Sequence, residues 1–276
     1  MIRMIGLLFC AASALSIGAC SDDDTNNNNN TADANNNTGS ACENYCSAAM
    51  TNCTDANAVY GDNAECMSAC AAMPAGTEGD TDGNSASCRA YHAGVAGMMD
   101  ASDHCQHASA SGGAVCGSKC EAYCSQIQTN CTGDNATHND EAACLSACAA
   151  MPEGAFNDTA GNTVECRTYH ASFPAAGAPT AHCKHASTAS DSDVCGGVCD
   201  AYCDQAMANC TAGNELYTDR GTCMTACAAF PVGEFNDRGG DTAQCRTYHA
   251  SSPAAGAPTD HCTHASADGN GVCVAP

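Results

Sequence analysis

Nine of the ten histidines fall into three sets of identical spacing: His92, His104 and His107; His170, His182 and His185; His249, His261 and His264. The last two of each set are three residues apart, which places them on one face of a helix. A third imidazole from a neighbouring helix would complete a three-His site for Zn or Cu, with water or a carboxylate as the fourth ligand. The plainer alternative is that these rings pack beside disulfides and bond backbone carbonyls or an arginine. The tenth, His138, aligns with Tyr60 and Tyr217 and reads as a packing substitution. Other chemistry finds little support. There is no Cys-x-x-Cys-His for covalent haem, no HExxH, no Gly-rich phosphate loop and no recurring Ser with an Asp–His pair. The loop Asp80-Thr81-Asp82-Gly83-Asn84 alternates oxygen ligands as Ca²⁺ loops do, but its counterparts keep only one Asp, the Gly and the helix cap, so it reads as a turn. No cofactor beyond Zn or Cu is implied, and the chain is not expected to be an enzyme.

The cysteines define the frame that holds these sets. The first unit has Cys42, Cys46, Cys53, Cys66, Cys70, Cys88, Cys105 and Cys116. The second has Cys120, Cys124, Cys131, Cys144, Cys148, Cys166, Cys183 and Cys195. The third has Cys199, Cys203, Cys210, Cys223, Cys227, Cys245, Cys262 and Cys273. The steps are 4, 7, 13, 4, 18, 17 and then 11 or 12, so one unit is written three times. The other two of the 26 cysteines are Cys10 and Cys20. Eight per unit and none left over predict four disulfides per unit in an oxidising compartment.

Helical spacing runs through each unit. Cys42, Cys46 and Cys53 share one face of a first helix, which Ser40 can cap. Cys66 and Cys70 lie on a second helix opened by Asp62 with Glu65 as a capping box and closed at Met73-Pro74. Two antiparallel helices each carrying C-x3-C should bridge Cys42–Cys70 and Cys46–Cys66, and likewise Cys120–Cys148, Cys124–Cys144, Cys199–Cys227 and Cys203–Cys223. Asn84, Asn162 or Asp241 should cap a third helix, with Glu165 and Gln244 in capping-box positions. That helix places Cys88, Tyr91, His92 and Val95 on one face. A short fourth helix, begun near Pro179 and Pro258 in the later units, carries the His-Cys-x-His string. The remaining pairs are expected as Cys53–Cys88 and Cys105–Cys116.

Some positions besides cysteine recur in all three units, including Tyr45, Tyr123 and Tyr202 and Asn52, Asn130 and Asn209. The tyrosines read as core rings with a wet hydroxyl. An acid follows the first Cys (Glu43, Glu121, Asp200) and an Arg the sixth (Arg89, Arg167, Arg246), which suggests an ion pair between the first and third helices. Other positions diverge: Ser47-Ala48-Ala49-Met50 becomes Ser125-Gln126-Ile127-Gln128 and Asp204-Gln205-Ala206-Met207.

Composition bounds the rest. Thirty-one acidic residues against 8 basic ones give a net charge of −23, which argues against nucleic acid. Residues 1–19 have a signal-peptide layout, an early Arg and then an apolar run ending in small residues. Their end, Ile17-Gly18-Ala19 before Cys20, resembles the lipobox of bacterial lipoproteins. That resemblance implies a lipidated Cys20 as the mature N-terminus, and Ser21 implies outer-membrane sorting. Residues 20–41, rich in Asp and Asn with no large apolar side chain, read as a disordered tether.

The hairpin half of each unit resembles the α-hairpinins, a likeness of geometry and not of activity. The strings Cys-Arg-x-Tyr-His and His-Cys-x-His resemble repeats of uncharacterised Cys-rich Gram-negative lipoproteins, which carry no known activity across.

The whole reads as an all-α, small disulfide-rich protein of three tandem repeats built on helical hairpins, residues 42–117, 118–196 and 197–276. The leading expectation is an outer-membrane lipoprotein, periplasmic or surface-exposed, displaying three binding or structural modules to a protein or glycan ligand. The alternative is a Zn or Cu protein with one His triad per repeat; a secreted hydrolase is the least favoured.

Overall fold

The computed structural model describes residues 34–190 and 193–275. The proposed signal peptide and lipidated Cys20 lie outside the described residues. Among the described residues no helix is long and apolar enough to cross a membrane. All of them belong to one compact unit.

Each repeat has four main helices joined by tight loops, with a further five-residue helix in the second and third, and the described secondary structure is helical apart from one isolated bridge. The first helices span Ala34–Asn52, Lys119–Asn130 and Val198–Asn209. The first of these begins before Ser40, so the last residues of the segment read as a tether, 34–41, are helical. The second helices, Asn63–Cys70, Glu141–Cys148 and Arg220–Cys227, open on Asp62, Asp140 and Asp219, whose carboxylates accept backbone N–H groups of the first turn. Glu65 reaches back one residue further than a capping box would, to the Gly61 N–H.

The third helices are Ala86–Ala96, Val164–Ala171 and Ala243–Ala250. Their caps are Ser85, Thr163 and Thr242, one residue beyond the expected Asn84, Asn162 and Asp241. The displaced residues do other work: Asn162 and Asp241 accept from the guanidinium of Arg167 and Arg246. The fourth helices, Ala101–Ala108, Pro179–Ala186 and Pro258–Ala265, carry the paired histidines.

Twelve disulfides staple the array, four per repeat, in the same pattern three times. The six hairpin bridges pair as the C-x3-C spacing requires. The other pairs correct the expected Cys53–Cys88 and Cys105–Cys116. Cys53 joins Cys105 and Cys88 joins Cys116, with the same exchange in Cys131–Cys183, Cys166–Cys195, Cys210–Cys262 and Cys245–Cys273. The reason lies in packing. The third helix lies between the first and the fourth, and the end of the first helix meets Cys105 on the fourth.

Sulfur and small side chains make up most of the core, with Tyr45, Tyr123 and Tyr202 as its largest rings, all fully buried. Their hydroxyls are not wet. Each donates to the last carbonyl of the fourth helix, Ala108, Ala186 or Ala265. Asn52, Asn130 and Asn209 tie the end of the first helix to the third through the carbonyls of Ala93, Ala171 and Ala250 at 2.9 Å. The expected ion pair between the recurring acid and Arg does not form. Arg89 is fully buried and donates to the carbonyls of Ser85, Ser109 and Ala110 at 2.8–3.1 Å. Arg167 and Arg246 hold the matching carbonyls Ser187 and Thr163, and Ser266 and Thr242. The acids stay at the surface instead, Glu121 in a capping box with Ser118 and Asp200 paired with Arg220 at 2.8 Å. The guanidinium therefore clamps the loop after the fourth helix to the start of the third, which fixes the orientation of the two histidine-bearing helices.

Successive repeats touch directly. The first helix of each later repeat sends Gln126 or Gln205 to the carbonyl of Ala69 or Ala147 in the second helix of the repeat before it. Glu165 accepts from Ser111, and Gln244 donates to the carbonyl of Ala189. These two positions therefore serve the repeat interface and not helix capping.

Candidate metal centre

The third and fourth helices of each repeat bring all three histidines of a set together. In the first repeat the ring centroids lie 5.3, 4.8 and 5.9 Å apart. In the second they lie 5.2, 5.0 and 5.4 Å apart, and in the third 5.2, 5.0 and 5.6 Å. His92 and His104 face each other through Nδ1 at 3.0 Å. His170 and His182 do so at 2.9 Å, and His249 and His261 at 3.0 Å. In the first two repeats one nitrogen from each of the three residues lies within 4.8 Å of the others.

The tautomers follow from the outer partners. His92 Nε2 lies 3.0 Å from the carbonyl of Thr81, His170 Nε2 3.2 Å from that of Thr159, and His249 Nε2 3.2 Å from that of Arg238. A carbonyl can only accept, so each Nε2 carries the proton and the neutral ring keeps its Nδ1 lone pair for the cluster. This is the outer-shell arrangement that orients metal-ligating imidazoles. The turn that supplies the carbonyl is built by Asp80, Asp158 or Asp237, whose carboxylate accepts the N–H of Thr77, Ala155 or Glu234 at 2.8 Å. It needs glycine at Gly76, Gly154 and Gly233. Their φ values of +74°, +81° and +89° are left-handed, and an added Cβ would fall 2.5 Å from Ser85, Thr163 or Thr242. The loop that resembled a Ca²⁺ site therefore positions a histidine.

The electrostatics favour the neutral form at four of the rings. Burial pushes His170 down to about 4 and lowers His107, His249 and His261 below the usual imidazole value, with neighbouring imidazoles adding to the effect at each. Neutral imidazole is the form that ligates. Two ligands on a tetrahedral ion with bonds of about 2.0–2.1 Å stand about 3.3 Å apart, close to the Nδ1 separations found. The Nδ1 atoms of His107 and His264 are buried with no hydrogen-bond partner among the described residues. Buried polar atoms are ordinarily satisfied, so such orphans fit a ligand set. The sulfurs of Cys88 and Cys116 also lie within 4.8 Å of a nitrogen of His92, as do those of Cys166 and Cys195 for His170. They are joined to each other and offer no thiolate.

One part of this arrangement had no signature in the residue pattern. The orienting groups are main-chain carbonyls, and the residues that carry them are Thr, Thr and Arg. Tyr91, Tyr169 and Tyr248 stand edge-on to the first histidine of each set at 5.0–5.2 Å. Tyr91 is 44 % exposed, so the face of the third helix is not wholly buried as its periodicity suggests. His138 packs edge-on to Tyr123 at 6.1 Å, where Tyr60 and Tyr217 pack on Tyr45 and Tyr202, and takes no part in a cluster.

Fold and site together define a class: an all-α, disulfide-stapled array in which each repeat holds one convergent imidazole cluster. The domain family described as the BfoA family C-terminal domain matches three consecutive stretches, residues 11–119, 117–201 and 195–276. The protein belongs to that family. No curated protein and no solved structure matches the chain.

Proposed function

We propose that the protein binds transition-metal ions, one per repeat, through the triads His92/His104/His107, His170/His182/His185 and His249/His261/His264. The observation that carries this reading is the facing pair of Nδ1 atoms at 2.9–3.0 Å in all three repeats, with the outer Nε2 held each time by a backbone carbonyl. The donor set is all-nitrogen with a free coordination position, which suits Zn²⁺ or Cu²⁺ and disfavours Ca²⁺ and Mg²⁺. When bound, the ion would act as cargo or as a Lewis acid. This chain's own residues would hold and orient it, and the reading is of a metal holder. The sequence of residues 17–20 and the complete pairing of the described cysteines support a lipid-anchored location outside the cytoplasm, and Ser21 supports the outer membrane. A protein or glycan ligand remains the second reading, supported by the tandem display, because linked modules gain avidity.

The test is equilibrium dialysis of the oxidised chain against Zn²⁺ and Co²⁺. Three ions per chain are expected, with tetrahedral Co²⁺ absorption, falling to two in His170→Ala and staying at three in His138→Ala. Fewer than one ion per chain at micromolar free metal would overturn the reading.

A further inference from the structure

Each junction between repeats joins the same two faces. The receiving face belongs to the earlier repeat and presents main-chain acceptors on its second helix and on the loop before it. At the first junction the carbonyls of Ala69 and Ala58 take the amides of Gln126 and Asn157. At the second those of Ala147 and Ala136 take Gln205 and Asn236. The short helices Phe173–Gly177 and Ser252–Gly256 of the later repeat pack on the same second helices. The third repeat carries this receiving face too, and among the described residues nothing covers it. Ala226, the counterpart of Ala69 and Ala147, is partly exposed where those two are fully buried. Phe230 is partly exposed where Met73 and Met151 are buried, and Ala229 is exposed where Ala72 is buried. The turns that present the acceptors are unchanged: Ala72, Ala150 and Ala229 donate to the carbonyls of Ala69, Ala147 and Ala226, and Ala58, Ala136 and Glu215 each close a turn three residues back.

We infer that the outer face of the third repeat is a docking site for a further repeat of this fold, supplied by a separate chain whose third helix brings a basic residue where Glu165 and Gln244 stand. Continuity with the two internal junctions sets the fold of the occupant. The side chains set its charge. The internal receiving faces mix donors with acceptors: the amide of Asn84 or Asn162 donates to Ser125 or Asp204, and the Ser111 hydroxyl donates to Glu165. The third repeat has Asp241 in place of those two Asn, Asp268 in place of Ser111 and Ala189, and Glu215 in place of Ala58 and Ala136. Ionised carboxylates only accept, so the incoming chain must donate at these positions. A second copy of this chain does not fit. Its first repeat has Ala48, Gly79 and Ser87 where the gripping groups would be, and its third helix runs on without the break that makes the short helix. A copy is also strongly acidic, and like charges across an interface oppose association.

The experiment gives a copy the missing grip and reads whether it docks. The full oxidised chain carries Ala48→Gln, Gly79→Asn and Ser87→Lys, and a second version adds Ala96→Pro to restore the helix break of the later repeats. Gly79 has a φ of +88° and open space at its Cβ, and Asn157 and Asn236 hold φ values of +63° and +66° at the matching position, so Asn fits there. In sedimentation velocity the unaltered chain should run as a monomer. The altered chain should form a head-to-tail series whose weight-average mass rises with concentration. Ala229→Arg on the receiving face should return it to a monomer. Ser87→Glu in place of Ser87→Lys should weaken association by about tenfold or more, because it brings a carboxylate to Asp268. Altered chains that stay monomeric in both versions would overturn the docking site, and so would association that survives Ala229→Arg. Equal association of the Lys and Glu versions would overturn the basic partner. Association of the unaltered chain would overturn the exclusion of a second copy.

Discussion

The first repeat differs from the two that follow at the face where repeats meet, and agrees with them where the histidines meet. Gln126 and Gln205 bond the preceding repeat, and their counterpart is Ala48. Asn157 and Asn236 reach back to the carbonyls of Ala58 and Ala136, and their counterpart is Gly79. Glu165 and Gln244 contact the loop of the repeat before, and their counterpart is Ser87. The third helix is also uninterrupted in the first repeat. In the others it breaks at Ser172 and Ser251, and a short helix, Phe173–Gly177 or Ser252–Gly256, packs on the second helix of the preceding repeat. Each break comes just before a Pro, which the first repeat lacks. Substitutions that look like free drift between copies therefore follow the neighbour. The first repeat has none of the groups that would grip a preceding one, as a terminal cap of a repeat array is expected to be.

That contrast can be broken most strongly at the disulfide joining the hairpin half to the histidine half. Replacing Cys131 and Cys183 with Ser should cost about 2–4 kcal/mol. On the proposed metal-binding reading it should also abolish binding at the second triad and leave the first and third unaffected, as read by thermal denaturation and bound Co²⁺. Retention of all three ions would mean that the hairpin half does not position the fourth helix.

A smaller effect is expected at the repeat interface. Gln205→Ala removes the side-chain donor to the Ala147 carbonyl, which keeps only the long bond from the Ala150 N–H at 3.4 Å, and should cost about 0.5–1.5 kcal/mol. Gln126→Ala should do the same at Ala69. The reverse change in the first repeat, Ala48→Gln, should leave chemical denaturation unchanged within error, because that repeat lacks the other groups with which the later repeats grip the one before. A stability gain from Ala48→Gln would show that this face is covered by something.

The smallest effect separates the second repeat from its neighbours by pH. His138 stands where the others have Tyr, and burial pushes it down from 6.5 to about 4. An unfolded chain binds that proton first, so the folded state loses stability as pH falls from about 6.5 towards 4, and the contribution is complete above 6.5. His138→Tyr should flatten that part of the acid limb of a denaturation series, leaving the part due to the clustered histidines. An unchanged acid limb would mean that His138 binds its proton as readily in the fold as in the unfolded chain.

Much of this was legible in the residues. The i, i+4 spacing of Cys42/Cys46 and Cys66/Cys70 determined a stapled helical hairpin, because two antiparallel helices leave those sulfurs only one good pairing. The repeated His-Cys-x-His string determined that two imidazoles share a helix face. The second pair of disulfides was not legible, since Cys53, Cys88, Cys105 and Cys116 lie on separate elements whose crossing no local spacing encodes. Nor was the role of Arg89, whose partners are carbonyls of the main chain and not the acid that recurs with it. Local periodicity sets which residues share a face. Only the packing of the third helix between the first and the fourth decided that His92 meets His104 and His107, and that a carbonyl behind it turns its lone pair inward.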